Sequence, residues 1–168
     1  LKNRNIKSIA LLGWQIPIIT DDNYQKAKIL KIDKHRIENF FTNNDVIVLA
    51  GFQGVNTAGH ITSLGRGGSD TTAVAIASAV GAERCDIYTD VDGVYTTDPS
   101  IVPEAKKIPK LAFEEMLEMS STGAKVLHTR SVELAMKNNL ILQVLSSISK
   151  ESGTLIVSDD DLIEKEIV

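Results

Sequence analysis

The segment at residues 65–72 contains residue types that bind small anions. It reads GRGGSDTT and precedes a regular helical pattern. Its glycines let the backbone approach a ligand closely and adopt positive φ at little steric cost, and the amides at a helix N-terminus attract negative charge. Arg66 adds a planar fork of donors for a carboxylate or a phosphate, and we expect Ser69 or Asp70 to cap the helix. The segment predicts anion recognition, although a glycine-rich turn with an incidental arginine has the same local pattern.

A second polar segment, residues 88–100, follows a short apolar run that has the character of a buried strand. It reads YTDVDGVYTTDPS, and open α/β sheets bind nucleotides in loops at the carboxyl ends of their strands. Tyr95 offers a flat apolar face and a hydroxyl. Asp90, Asp92 and Asp98 lack the spacing of a calcium-binding loop, so we assign no metal ligands among them. A nucleotide site is one interpretation, and two ordinary turns at Asp-Gly and Asp-Pro are the other.

Lys125 follows a turn of small residues at 120–124, SSTGA. We predict a helix over residues 125–138, which places this lysine in the first turn, where its charge opposes the helix dipole. A phosphate bound at that position would make the interaction favourable. The residue is therefore a candidate phosphate ligand, and a surface lysine is the alternative.

Alternating apolar runs and helical patterns predict the elements that position these loops. Continuous apolar runs, typical of strands buried on both faces and paired in parallel, occur at 6–12, 46–50, 86–89 and 141–145. Helical spacing occurs at 37–41, 73–80, 113–117 and 125–138. Shorter segments predict ribbons at 18–32 and 54–63, a last strand at 153–157 and a polar exit at 158–161. The alternation predicts the α/β class, with helices layered on a mainly parallel sheet.

The amino-acid composition excludes several classes of protein and several kinds of binding partner. The 168 residues are 43% apolar and 24% charged, which suits one globular domain. Eighteen basic and 22 acidic residues give a net charge of −4, which argues against nucleic acid or acidic membranes as partners. Cys85 is the only cysteine, so the sequence has no internal disulfide and no CxxC pair. No apolar run approaches the roughly 18 residues of a membrane span. We expect a cytoplasmic protein.

Four segments together resemble the aspartate kinases of the amino acid kinase superfamily, in sequence, order and spacing. They are residues 48–54 (VLAGFQG), 64–72 (LGRGGSDTT), 88–99 (YTDVDGVYTTDP) and 123–128 (GAKVLH). The resemblance implies the layered α/β/α amino acid kinase fold, also called carbamate kinase-like, incomplete at its N-terminus. It also implies ATP-dependent phosphorylation of the side-chain carboxylate of L-aspartate to 4-phospho-L-aspartate, the first step toward lysine, threonine, methionine and diaminopimelate.

The resemblance implies a site for each of the two substrates. Arg66 would bind the α-carboxylate of aspartate, in a pocket shaped by Phe52, Gly67, Gly68 and Ser69. Asp70 and Lys125 would be catalytic, with Asp70 orienting a lysine of the family's opening motif and Lys125 reaching the ATP phosphates. Mg²⁺ would bridge those phosphates largely through water rather than in a protein cage. The nucleotide would also contact Thr89, Asp90, Tyr95, Thr96, Thr97, Asp98, Pro99 and Ser100.

The sequence departs from the family's pattern in several places. The opening Lys-Phe-Gly-Gly motif and the regulatory ACT domains are not found in these 168 residues. We therefore expect residues 1–157 to form part of a catalytic domain, residues 158–168 to form an acidic linker toward an ACT region, and this segment alone to be inactive. Ser100 stands where an arginine is usual, which would weaken ATP binding by about 1–3 kcal/mol. Thr129 stands where a proline is usual.

Two other functional classes are compatible with the pattern. Glutamate 5-kinase, N-acetylglutamate kinase and uridylate kinase share the fold, but the arginine of GRGGSD favours an acceptor with a free α-carboxylate. A non-catalytic nucleotide-binding module is the second alternative. In each case we expect small-molecule ligands, no nucleic-acid or membrane partner, and a homo-oligomer in the full-length protein.

Overall fold

The structure is a computed structural model that describes residues 1–124 and 126–163. It consists of two compact units, Leu1–Gly81 and Ala82–Val168. Both units combine helices with strands, as the sequence predicts, and each unit contains two parallel and two antiparallel strand pairs among the described residues. Among the described residues, no helix has the length and apolar character required to cross a bilayer.

The first unit contains a parallel strand pair and a four-stranded mixed sheet. The elements are a 3₁₀ turn at Lys2–Arg4, β1 (Ser8–Leu11), β2 (Ile18–Thr20), β3 (Ile29–Ile32), α1 (Lys34–Phe41), β4 (Val46–Leu49), β5 (Gln53–Val55), β6 (Ile61–Ser63) and α2 (Gly68–Val80). The pair joins β1 and β4 in parallel, and the sheet has the order β3-β2-β5-β6. The ribbons predicted from turn residues are antiparallel hairpins, β2 with β3 and β5 with β6.

The core of the first unit is an apolar cluster formed by strands and both helices. Leu11, Ile16 and Ile37 are buried at its centre, and the helical spacing of Ile37 and Phe40 explains why α1 faces the strands. The prediction that these strands are buried on both faces is wrong. Ala10 and Val48 are register partners that point away from the cluster, and Val48 is 51% exposed. Residues packed around the centre are Ile9, Ile32, Phe40, Ile47, Leu49, Ile76 and Val80.

The second unit is built on a four-stranded sheet. Its elements are β7 (Arg84–Thr89), β8 (Val94–Tyr95), β9 (Lys107–Ile108), β10 (Lys110–Ala112), α3 (Phe113–Thr122), α4 (Thr129–Lys137), β11 (Ile141–Ser146), β12 (Thr154–Val157) and α5 (Asp159–Ile163). The sheet has the order β10-β12-β11-β7. Strands β7 and β11 are parallel over six residue pairs, from Arg84↔Ile141 to Thr89↔Ser146. Because they are parallel, their carboxyl ends lie side by side.

Two helices of this unit differ from the sequence predictions. Helix α4 starts at Thr129 rather than at residue 125, because His128 is its N-cap and accepts a hydrogen bond from the Arg130 amide at 3.4 Å. The predicted polar exit at 158–161 instead opens the short helix α5. The Ser158 hydroxyl donates to Asp161 Oδ2 at 2.7 Å, and acidic residues in a first turn stabilise a helix.

Candidate functional site

The glycine-rich turn of the first unit depends on two glycines in the left-handed region. Gly65 and Gly67 have φ of 73° and 69°, a conformation that costs little only for glycine. Helix α2 begins at Gly68, with Gly67 as its N-cap. The prediction that Ser69 or Asp70 caps this helix is therefore wrong, since the chain enters the helix through a positive φ that only glycine adopts easily. Both residues lie in the first helical turn instead.

Phe52 lies against this turn. Its amide donates to the Thr72 hydroxyl at 3.1 Å, and its carbonyl accepts from the Leu64 amide at 3.0 Å. These bonds hold Phe52 at a positive φ of 70°. Its ring covers Gly68, where a Cβ would stand only 2.9 Å from Phe52 Cδ2. The structure thus brings together two of the residues predicted to shape the aspartate pocket.

The polar residues of the turn differ in their exposure. Arg66 and Ser69 are exposed, and Asp70 is partly buried in the first turn of α2. Within the described part of the chain, Arg66 makes no hydrogen bond or ion pair. Its guanidinium donors are therefore available to an external anion.

The second unit contains a cleft of about 1180 Å³ at the carboxyl ends of β7 and β11. A cleft of this size accommodates a nucleotide. Six of the predicted nucleotide residues line it, and Thr89 and Ser100 do not. Lys125 lies outside the described residues, although its neighbours Ala124 and Val126 are lining residues. The six are Asp90, Tyr95, Thr96, Thr97, Asp98 and Pro99.

Part of the cleft was not predicted from the sequence. It is formed by the end of α3 and by the segment after β11, namely Met119, Thr122, Gly123, Ser146, Ile148, Ser149 and Glu151. The Ser147 amide and hydroxyl both donate to the Thr89 carbonyl, at 2.8 and 3.0 Å. The predicted parallel pairing of β7 and β11 is the sequence feature that could have located these residues. Residues that follow either strand then lie at the same edge of the sheet.

Asp92 is held by a cation and a phenol. Lys107 Nζ donates to Asp92 Oδ2 at 3.0 Å and to Glu151 Oε2 at 3.3 Å, and the Tyr95 hydroxyl donates to Asp92 Oδ1 at 3.0 Å. The hydrogen bond from Lys107 lowers the pKa of Asp92 below its usual value. The same carboxylate raises the pKa of Lys107 and of Tyr95. Lys107 and Asp92 therefore form a charged pair at neutral pH.

The other two aspartates of the loop have local partners. Asp98 Oδ1 accepts from the Ser100 amide at 2.8 Å and from the Ser100 hydroxyl at 2.6 Å, which lowers the pKa of Asp98. Asp90 Oδ1 accepts from the Thr89 hydroxyl at 3.1 Å. Within residues 1–124 and 126–163, no three His, Cys, Asp or Glu side chains form a group that could hold a metal ion.

A buried hydroxyl connects the loop to the sheet. Thr154 Oγ1, on β12, accepts from the Val94 amide at 2.8 Å and donates to the Ile108 carbonyl at 2.6 Å. Gly93 passes so close that a Cβ there would lie 2.7 Å from this oxygen. The short ribbon β8–β9 is thereby fixed to the central strands.

The fold and the comparisons agree on the class of protein. A family model described as "Amino acid kinase family" matches residues 1–146, so the chain belongs to the amino acid kinase family. The predicted α/β class and amino acid kinase fold are confirmed.

Individual relatives resemble the chain over nearly its whole length. The chain is 53% identical over 161 residues to an aspartate kinase of Pseudomonas putida, covering 96% of this chain and 39% of the relative. It is 47% identical over 169 residues to an aspartokinase of Rickettsia bellii, covering 100% and 42%. Aspartokinase III of E. coli, solved with aspartate and ADP, superposes with a TM-score of 0.82 at 34% identity, covering 94% of this chain and 36% of that one. The chain thus spans about 42% of the length of a curated relative.

Proposed function

We propose that the full-length protein is an aspartate kinase that transfers the γ-phosphoryl group of ATP to the side-chain carboxylate of L-aspartate. The observation that carries this proposal is the identity of 47–53% to proteins named aspartokinase or aspartate kinase, across 96–100% of this chain. A carboxylate oxygen would form the new bond to the γ-phosphorus while the bond to the bridging oxygen breaks. The products would be 4-phospho-L-aspartate and ADP.

The cleft of the second unit is the proposed ATP site. The exposed apolar surface of Ile148 and the ring of Tyr95 offer contacts for a base, and Thr96 and Thr97 offer hydroxyls. We propose that Thr89 and Ser100 act at its edge. Lys125 would neutralise the phosphates as a charge-assisted donor.

The charge of the cleft lining supports the proposal that ATP binds together with a cation. Asp90, Asp92, Asp98 and Glu151 line the cleft, and no described lining residue is basic. Lys107 offsets only one of these four negative charges, so the lining would repel a triphosphate unless further positive charge accompanied it. Oxygen ligands of this kind suit Mg²⁺, which usually keeps several waters and binds through substrate phosphates. Bound Mg²⁺ would neutralise charge that develops on the transferring group.

The glycine-rich turn of the first unit is the proposed aspartate site. Arg66 is exposed without a protein partner among the described residues and presents the bidentate donors that an α-carboxylate needs. Phe52, Gly67, Gly68 and Ser69 would shape the pocket, and Asp70 would orient a catalytic lysine. Phosphoryl transfer requires little covalent chemistry from the protein, so these residues would act by positioning the substrates and by neutralising charge.

The remaining assignments follow from the proposed activity. The enzyme would act in the cytoplasm, at the start of the route to lysine, threonine, methionine and diaminopimelate, and as a homo-oligomer. Residues 1–157 would belong to its catalytic domain, and residues 158–168 would link that domain to a regulatory ACT region.

The test is an acceptor screen with the full-length protein, ATP and Mg²⁺, in which hydroxylamine traps an acyl phosphate as a hydroxamate. We expect hydroxamate from L-aspartate and none above background from L-glutamate or N-acetyl-L-glutamate. ADP release is measured in parallel, with UMP included as an acceptor. Preference for another acceptor would reassign the substrate, and tight ATP binding without turnover on any acceptor would favour the non-catalytic alternative.

A further inference from the structure

Lys107 connects two parts of the cleft without lining it. Its ammonium bonds Asp92 in the loop after β7 and Glu151 in the segment after β11, and both carboxylates are lining residues. The Lys107 side chain is only 24% exposed. One cation therefore joins two segments that are 59 residues apart in sequence, by the numbers of Asp92 and Glu151.

The backbone alone restrains this part of the cleft weakly. Strands β8 and β9 share just two residue pairs, Val94↔Ile108 and Tyr95↔Lys107. Lys107 thus sits directly across from Tyr95, and both side chains bond the same carboxylate, one at each oxygen of Asp92. Glu151, Lys107, Asp92 and Tyr95 form a continuous chain of hydrogen bonds along the lining.

Loss of the ammonium has two consequences. The Asp92 carboxylate keeps Tyr95 as its single side-chain donor and is no longer held in place by Lys107, so Asp92 no longer fixes the position of the Tyr95 ring. The two carboxylates also become unneutralised next to a ligand that carries several negative charges, which is unfavourable at short range. Both consequences weaken nucleotide binding, and neither requires the lysine to touch the nucleotide.

We propose that Lys107 is a positioning residue for the nucleotide, acting through Asp92, Tyr95 and Glu151. The assignment rests on the proposed function of the cleft as an ATP site. It predicts that loss of Lys107 weakens the affinity for ATP without weakening the affinity for aspartate. It also predicts that another cationic side chain at this position preserves most of the affinity for ATP.

The experiment compares Lys107→Met, Lys107→Arg and the matched control Lys106→Met in the full-length protein. Lys106 is the adjacent residue, is exposed, and makes no side-chain hydrogen bond among the described residues. Binding of ATP with Mg²⁺ is measured by calorimetry, and the two KM values and kcat by ADP release. We expect Lys107→Met to raise the Kd and KM for ATP about five- to tenfold, with kcat and the aspartate KM within twofold. Lys107→Arg should recover most of the affinity, and Lys106→Met should match the wild type.

A double-mutant cycle separates this role from a general structural one. Asp92→Asn should also weaken ATP binding, and Lys107→Met combined with Asp92→Asn should be little worse than the weaker-binding single variant. If Lys107→Met fails to fold, ATP affinity is compared between Asp92→Asn, which breaks the ion pair, and Lys107→Arg, which keeps it. Wild-type affinity for ATP in Lys107→Met, an equal loss in Lys106→Met, or additive effects in the cycle would overturn the proposal. Because the direct binding measurement needs no acceptor, a protein that binds ATP but does not phosphorylate aspartate would refute the proposed function and leave the assignment of Lys107 testable.

Discussion

The hydroxyl of Thr154 bonds Val94 and Ile108 at once, and so fixes both strands of the ribbon beside the cleft. Thr154 is fully buried. Water therefore cannot replace either bond when the hydroxyl is removed, and the Val94 amide would be left without a partner.

Replacement of Thr154 by valine should destabilise the protein. Valine keeps the shape and removes both hydrogen bonds, and a buried unpaired amide costs about 1–3 kcal/mol. We expect a loss of about 2 kcal/mol in the free energy of unfolding, measured by urea titration. Thr97→Val is the control, since Thr97 is exposed, and it should change the free energy by less than about 0.5 kcal/mol. Equal stability of Thr154→Val and the wild type would contradict the role of this hydroxyl.

Arg66→Ala should impair recognition of aspartate. A bidentate bond to a carboxylate is lost, so we expect the aspartate KM to rise at least tenfold, with the KM for ATP changed by less than threefold. Arg66→Lys should be intermediate, because an ammonium lacks the planar fork. Steady-state kinetics with each substrate varied in turn measure both values. A larger effect on ATP than on aspartate would count against the assignment of Arg66.

Gly68→Ala should displace the Phe52 ring. The new Cβ would lie 2.9 Å from Phe52 Cδ2 and 3.0 Å from Leu64 Cβ, so we expect a loss of about 1–3 kcal/mol in stability together with a higher aspartate KM. Gly51→Ala is a matched control, since its Cβ would meet Thr72 at an ordinary 3.4 Å. Thermal melting and aspartate kinetics measure the two effects. An unchanged aspartate KM in a folded Gly68→Ala variant would remove Phe52 from the proposed pocket.

Acid should lower the free energy of unfolding, in part by protonating Asp92. Its pKa is lowered in the folded state by the hydrogen bond from Lys107, so the pair contributes stability above the unfolded pKa of about 4 and loses it as the pH falls through the lower folded value. The raised pKa of Lys107 keeps the pair charged at alkaline pH, to above about 10.4.

The measurement is urea unfolding of the wild type and Asp92→Asn from pH 7 to pH 2.5. We expect the wild type to be more stable at pH 7 by a difference on the order of 1 kcal/mol, and this difference should shrink as the pH falls from about 4 through the lowered folded pKa of Asp92. Glu104→Gln removes an exposed carboxylate that makes no hydrogen bond or ion pair among the described residues and should show no such dependence. A difference between wild type and Asp92→Asn that stays undiminished down to pH 2.5 would contradict the ion pair.

Local patterns were sufficient to predict most of the elements. Apolar runs predicted β1, β4, β7 and β11, and turn residues predicted both hairpins, because burial and turn chemistry act over a few residues. Helix starts were less accurate. Gly67 rather than Ser69 caps α2, and His128 caps α4, since a cap depends on backbone angles that residue type alone does not determine.

The lining of the cleft was predicted only in part. The loop after β7 has a distinctive sequence, whereas Glu151 and Ile148 reach the same place only because β11 pairs with β7 in parallel. Lys107 was missed for a related reason. Its partners lie 15 and 44 residues away, and contacts at that separation depend on the tertiary arrangement.

The two bonds from Ser147 to the Thr89 carbonyl have a consequence for how the protein tolerates change. The bond from the Ser147 amide joins main-chain groups at the ends of β7 and β11, so it persists when the Ser147 side chain is changed, whereas contacts such as that of Lys107 with Asp92 depend on particular side chains. Substitutions in the lining can therefore alter ligand binding while the two strand ends stay joined.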